Sequence, residues 1–339
     1  MTTPARVSYG VLALTLVLAG VLHLGAPLLV ILFSYLALRQ IYSLTKRKWL
    51  ALVLFIVVVL GIAAAAVFFT RAAILALPDV ADTSIPSASA WAQRRQIELP
   101  FTDFESLRAV VIDTLQQEAH YLRNVAHFAG STTAALVFSI IGIVAAASLF
   151  FKAVLDPHRA THPVKNNLYS ICCDEVSTRF RDFYRSFATV MGAQITISLI
   201  NTALTGLFVV VVRMPHAPLL IAITFLCGLV PIVGNLVSNT IIVFLALTIS
   251  LKLAIAALVF LVVIHKLEYI LNSKIIGDRI RNPAWLTLIA LIIGERLMGI
   301  PGLILAPVVL NYLRVEMLTV EVPGMQAPKP KVQAPVKLQ

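Results

Sequence analysis

Residues 194–239 read QITISLINTALTGLFVVVVRMPHAPLLIAITFLCGLVPIVGNLVSN, a run in which Arg213 is the only formally charged residue. A hydrocarbon core about 30 Å thick is crossed by roughly 20 apolar residues in helical form. The first half of the run is long enough for such a span. The second half is interrupted by Pro231 and Gly234, which favour a break or chain reversal. Within the first half, Gln194, Ser198, Asn201 and Thr205 recur at steps of four, three and four, so they share one helical face. A soluble helix has a narrow apolar stripe on a polar cylinder; here the pattern is inverted.

Outward from this stretch, apolar runs recur at residues 9–23, 26–41, 50–70, 132–151, 187–212 and 253–272, and all six approach or reach spanning length. Two more, 217–250 and 284–313, are broken by Pro, Gly or charge and read as hairpins. Composition agrees: 59% of residues are hydrophobic and 13% charged, whereas a soluble domain carries about 25% charged residues. The fold expected is all-α, a polytopic helical membrane protein with about eight hydrophobic segments, two of them broken or re-entrant hairpins. Its first partner is the lipid bilayer. Arg6 and the run from Tyr9 resemble the first two regions of a signal peptide, but no small-x-small site precedes a polar start. The N-terminus therefore reads as part of the fold.

The formal charge of +11 does not indicate nucleic acid, because the bases sit in short clusters between apolar runs with little aromatic interleaving. Arg39, Lys46, Arg47 and Lys48 mark one cytoplasmic loop, and Lys152, Arg159, Lys165, Arg179, Arg181 and Arg185 mark another. The boundaries expected are N-terminal transmembrane helices over 1–70, an extracytoplasmic amphipathic helical insert over 71–131, a transmembrane transport core over 132–316 with a cytoplasmic loop at 152–186, and a disordered basic tail over 317–339. The insert holds seven acids against five bases. Phe104, Leu107, Val111, Leu115, Leu122 and Val125 give it one apolar face. Parity then requires each hairpin to return to its starting side, the first entering from outside and the second from the cytoplasm. Both termini are expected in the cytoplasm, in a bacterial inner membrane.

Broken helices leave N–H and C=O groups unpaired at membrane depth, where they are tolerated only if they line a cavity or meet a ligand. The expected substrate path therefore combines the stripe Gln194, Ser198, Asn201 and Thr205 with Pro231, Gly234, Asn235, Ser238 and Asn239 of the first hairpin. The same stripe also fits interhelical hydrogen-bond glue. Glu268, with Asn272 one turn on, is an ionisable group near the end of a span and a candidate for coupling or gating; an ordinary interfacial ion pair with nearby lysines is the competing reading. Glu295 and Arg296 interrupt the second hairpin as a tip or gate. Gly294, Gly299, Gly302 and Pro307 shape its turns.

Catalytic signatures do not occur: the chain has no HExxH, no G-x-S-x-G and no P-loop. Cys172 and Cys173 are adjacent, without the spacer that lets two thiolates grip one metal, and with Cys227 they read as reduced structural cysteines. No enzyme activity, cofactor or metal is expected.

The C-terminal half resembles the autoinducer-2 exporter family, a family of polytopic permeases. The resemblance rests on Pro231-Ile232-Val233-Gly234, on Leu267-Glu268 leading to Lys274-Ile275-Ile276-Gly277, and on Gly294 followed by Gly299-Ile300-Pro301-Gly302-Leu303-Ile304-Leu305-Ala306-Pro307. It implies homo-oligomerisation and export of small signalling molecules or, in some members, sodium–proton exchange. Asn235 departs from the family's usual Pro, Val237 and Ser238 replace small residues, and Glu295-Arg296 brings charge. Three functions follow. The first is a secondary transporter exporting a small organic solute such as a signalling molecule. The second is a sodium or lithium–proton antiporter, and the third a non-transporting scaffold or sensor that uses the insert. Few carboxylates lie where a cation would need them, which favours a neutral or weakly charged solute.

Overall fold

The computed structural model describes residues 3–93, 136–152, 154–164, 167–231, 233–275 and 283–319. The apolar face expected over 104–125, Gly277 and most of the C-terminal tail lie outside these residues. Among the described residues the α-helices are α1 (Thr3–Val21), α2 (Gly25–Thr45), α3 (Lys48–Gln93), α4 (Leu136–Phe151), α5 (Leu168–Val211), α6 (Ala217–Gly228), α7 (Val233–Ile249), α8 (Leu251–Ile275), α9 (Ala284–Met298) and α10 (Ile300–Thr319). No strand occurs among the described residues, and the chain is an all-α polytopic membrane protein.

Among the described residues five helices, α1, α2, the Lys48–Ala76 part of α3, α5 and α10, are long and apolar enough to cross a bilayer. Helix α3 continues past residue 70 to Gln93, so its regular backbone runs on into the segment read as an insert. Exposed side chains on α3, such as Val53, Ile56, Val57, Leu60 and Phe68, would be costly in water and cost nothing against lipid.

The 44-residue α5 organises the rest. Asn167 caps it, its side chain accepting from the Ser170 amide at 2.8 Å, which satisfies one of the orphan donors of the first turn. Along the C-terminal half of α5, α6 runs antiparallel: Ile221 packs beside Gly206, Ser198 reaches Phe225, and Gln194 reaches Gly228. Along the N-terminal half, α10 runs antiparallel, with Arg179 against Glu316 and Phe183 against Tyr312. The two hairpins α6–α7 and α9–α10 thus approach from opposite ends of α5. Their turns meet near its middle, where Val230 and Met298 pack on one core formed by Phe187, Met191, Ile304 and Leu305.

At a rise of about 1.5 Å per residue, α6 is only about 18 Å long and α9 about 22 Å, each short of a bilayer core. The turns are tight for steric reasons. A Cβ on Gly234 would strike the Cys227 carbonyl, and Cβ atoms on Gly294 and Gly302 would each strike the other's backbone. Gly299 holds φ +65°, a conformation that side chains with a Cβ rarely adopt. The α1–α2 turn rests on the second hairpin, since a Cβ on Gly25 would press on Pro301 and Met298.

Candidate functional site

The polar stripe of α5 faces neighbouring helices. Ser198, Asn201 and Thr205 are 1%, 4% and 2% exposed, so three hydroxyl and amide groups sit inside an apolar bundle where each must find a partner. Gln194 donates from Nε2 to the Gly228 carbonyl at 2.6 Å, and the Ser198 hydroxyl donates to the Phe225 carbonyl at 2.8 Å. Both acceptors belong to the last turn of α6, where a helix leaves its carbonyls without intrahelical donors. Gly228 allows the approach, because a Cβ there would press on Ser198. The two parts of the stripe therefore differ: Gln194 and Ser198 tie off the last turn of the broken helix, while Asn201 and Thr205 lie further along α5 and take no part in that capping.

Asn201 faces Glu268. Helix α8 carries Glu268 beside α5 through the stacked rings of Phe208 and Phe260, 4.2 Å apart. The Glu268 side chain is 13% exposed. Its Oε2 accepts a hydrogen bond from Asn235 Nδ2 at 2.7 Å, and His265 Nδ1 lies 3.7 Å away with its ring largely exposed. Ser238, 1% exposed, donates to the Asn235 carbonyl at 3.3 Å. Three separate elements, α5, α7 and α8, thus converge on one carboxylate clad by amides. Asn201 Oδ1, on the side chain that faces Glu268, is buried without a hydrogen-bond partner among the described residues, which leaves acceptor capacity beside the carboxylate.

Several residues singled out in the sequence stand apart from this cluster. Glu295 and Arg296 are exposed, 3.9 Å apart, near the second turn, and Gly299 N–H donates to the Glu295 carbonyl at 2.7 Å. Pro231 is half-buried at the first turn and Asn239 half-buried on α7. Pro307 lies inside α10. The side chain of Asn272 is outside the described residues. Lys266 is exposed, and the partners found for Glu268 are Asn235, Asn201 and His265.

A second polar cluster is not legible in the sequence. Glu316 on α10 is 9% exposed. It accepts from the Tyr9 hydroxyl at 2.6 Å and pairs with the Arg179 guanidinium. Arg179 also reaches Glu175 at 3.3 Å and lies over the Tyr9 ring at 4.4 Å. An acid inside an apolar helix was the available signal at Glu316; nothing in the sequence marked Tyr9.

In the loop before α5, Asp156 accepts from the Ser170 hydroxyl at 2.6 Å and lies 3.0 Å from His162 Nε2. The Ser170 hydrogen bond holds the Asp156 carboxyl below its ordinary value; partial burial opposes this and His162 reinforces it. Among the described residues no group of three His, Cys, Asp or Glu could hold a metal.

A family model described as AI-2E family transporter matches residues 9–319. The Bacillus subtilis (strain 168) protein YdbI, whose name describes a transport role, is 27% identical over 195 residues, 57% of this chain. The match spans about half, 53%, of that relative's own length. No solved structure matches the chain.

Proposed function

The chain belongs to the AI-2E transporter family, and from that premise we propose that it is a secondary transporter exporting a small, neutral or weakly charged organic solute, with Glu268 as the proton-exchanging group. The observation that carries this reading is the carboxylate at the junction of α5, α7 and α8, held by Asn235 and faced by Asn201. An ionisable group inside a helical bundle is expensive and marks a solute or proton path. Amides suit a group that changes charge. Asn235 Nδ2 donates to the ionised form, and the unpaired Asn201 Oδ1 can accept from the protonated form. Helix α7 begins at the first hairpin turn, so a proton on Glu268 is felt where the broken helix meets the path lined by Ser198, Asn201, Thr205, Asn235, Ser238 and Asn239.

The same carboxylate with a free amide oxygen beside it also suits a sodium or lithium ion, which is the observation that favours antiport as a second reading. A homo-oligomer in a bacterial inner membrane with both termini cytoplasmic completes the proposal.

The test is flux in proteoliposomes containing the full chain, with an interior pH dye and a panel of labelled polyhydroxylated solutes. Sodium, lithium and proton gradients are imposed in turn. Solute flux driven by the proton gradient and lost in Glu268→Gln supports the export reading. Proton movement driven by sodium or lithium alone establishes antiport instead, and flux unchanged in Glu268→Gln removes the carboxylate from the mechanism.

A further inference from the structure

At the N-terminal end of α5, three elements far apart in sequence are held by one knot. Tyr9 of α1 and Arg179 of α5 both bind Glu316 of α10, and the Arg179 and Glu316 side chains are 16% and 11% exposed. The arrangement is not a simple stability device. A buried ion pair often gains nothing over apolar residues of the same volume, and its best-attested use is to specify one arrangement among alternatives. Nor is the knot saturated: Arg179 Nε and the Tyr312 hydroxyl are buried without partners among the described residues, leaving two donors whose needs this conformation does not meet.

The knot is also placed where motion would matter. Helix α10 leads from the Glu316 end back through Val308, Leu305 and Ile304 to the turn at Gly299, beside which Met298 shares a core with Val230 of the other turn. Between knot and turn, α10 is held to α5 by apolar contact, which is non-directional and can slide or part. The charged knot is directional and is either made or broken.

We propose that Tyr9, Arg179 and Glu316 form a latch that fixes α10 against α1 and α5 in this conformation, and that release of the latch opens the α5–α10 seam during the transport cycle. The proposal rests on the transporter reading above. The three residues are positioning residues: they act on the path through α10 and touch no solute.

The seam can be read without any solute. In the full chain with Cys172, Cys173 and Cys227 changed to Ser, Val308→Cys places a thiol at a position that is fully buried in the α5–α10 core. Its reaction with a water-soluble maleimide reports how often the seam opens. Glu316→Gln, which removes the charge but keeps the shape, is expected to raise the labelling rate at least about tenfold, the order expected for loss of hydrogen bonds to a charged group. Tyr9→Phe, which keeps the ring over Arg179, is expected to raise it less, and it carries the same test if Glu316→Gln does not fold. In a second arm, Tyr9→Cys with Glu316→Cys is joined by a short reducible thiol cross-linker in proteoliposomes. Solute flux is expected to stop and to return on reduction.

Labelling unchanged in both folded variants overturns the latch, whatever the transport assay shows. Flux that continues when cross-linked overturns its role in the cycle. Absence of flux in the protein with Tyr9 and Glu316 intact is instead a failure of the transport reading and leaves the labelling result to decide the latch.

Discussion

Glu316 and Glu268 both lie against helix α5, and the two carboxylates are solvated in opposite ways. Glu316, at the N-terminal half, is neutralised by the fixed positive charge of Arg179 and a tyrosine hydroxyl. Glu268, at the C-terminal half, is met by amides, and among the described residues the basic group found beside it is the exposed ring of His265 at 3.7 Å. A permanently charged guanidinium favours one protonation state and one geometry. An amide can donate or accept and so tolerates both states. In the proposed function the same residue type is a fastener in one place and a group that exchanges a proton in the other, according to its partners.

The sharpest break of this contrast is to neutralise each acid. Glu268→Gln should lower the initial transport rate by roughly 100-fold or more, the scale of loss when a proton-transferring group is removed, with the melting temperature in detergent nearly unchanged. Glu316→Gln should do the reverse in kind, costing stability and loosening the α5–α10 seam. Equal melting shifts from the two changes would erase the distinction. Removing the other half of the fastener is a larger insult: Arg179→Ala strands a buried carboxylate and should cost about 3 kcal/mol, the order for breaking a buried pair, read as a lowered thermal midpoint.

The two hairpin turns permit a finer comparison. Gly302→Ala must displace the Gly294 backbone, whereas Gly228→Ala meets first the Ser198 hydroxyl, which can rotate, and only then the Ser198 Cβ at tight range. Overpacking of this kind costs about 1–3 kcal/mol, so Gly302→Ala should lie at the upper end and Gly228→Ala at or below the lower end. Thermal melts of the two purified variants check the order.

The smallest effect is outside the bundle. The carboxyl of Asp156 is held below its ordinary value of 3.8, chiefly by the Ser170 hydrogen bond, so its contribution is fully present above that value. It is lost as the pH falls through the lower folded value. Hydrogen exchange across residues 156–170 should accelerate on acidification below the ordinary carboxylate range, and this extra acid sensitivity should be missing in Asp156→Asn.

Much of the fold was legible because lipid imposes a simple rule: apolar length marks a span, and an interrupted run marks a hairpin. The runs at 26–41, 50–70 and 187–212 correspond to α2, α3 and the second half of α5. The interruptions at Pro231 and Gly299 fall at the turns that join α6 to α7 and α9 to α10. The stripe from Gln194 to Thr205 was legible as one helical face, yet its division into two capping residues and two residues beyond them was not. That division depends on where the last carbonyls of α6 come to rest along α5.

The sequence by itself determined the solvent, the helical class and the two broken runs, because each follows from local composition and helical period; it left Glu268 between a coupling group and an interfacial ion pair. Only the tertiary structure decided who meets whom. Asn235 reaches Glu268 across 33 positions and Tyr9 reaches Glu316 across 307, pairings that depend on helices packing side by side and leave no periodic mark in the chain. Partners set what a buried acid can do, so the letter Glu alone did not separate the arginine-paired Glu316 from the amide-held Glu268.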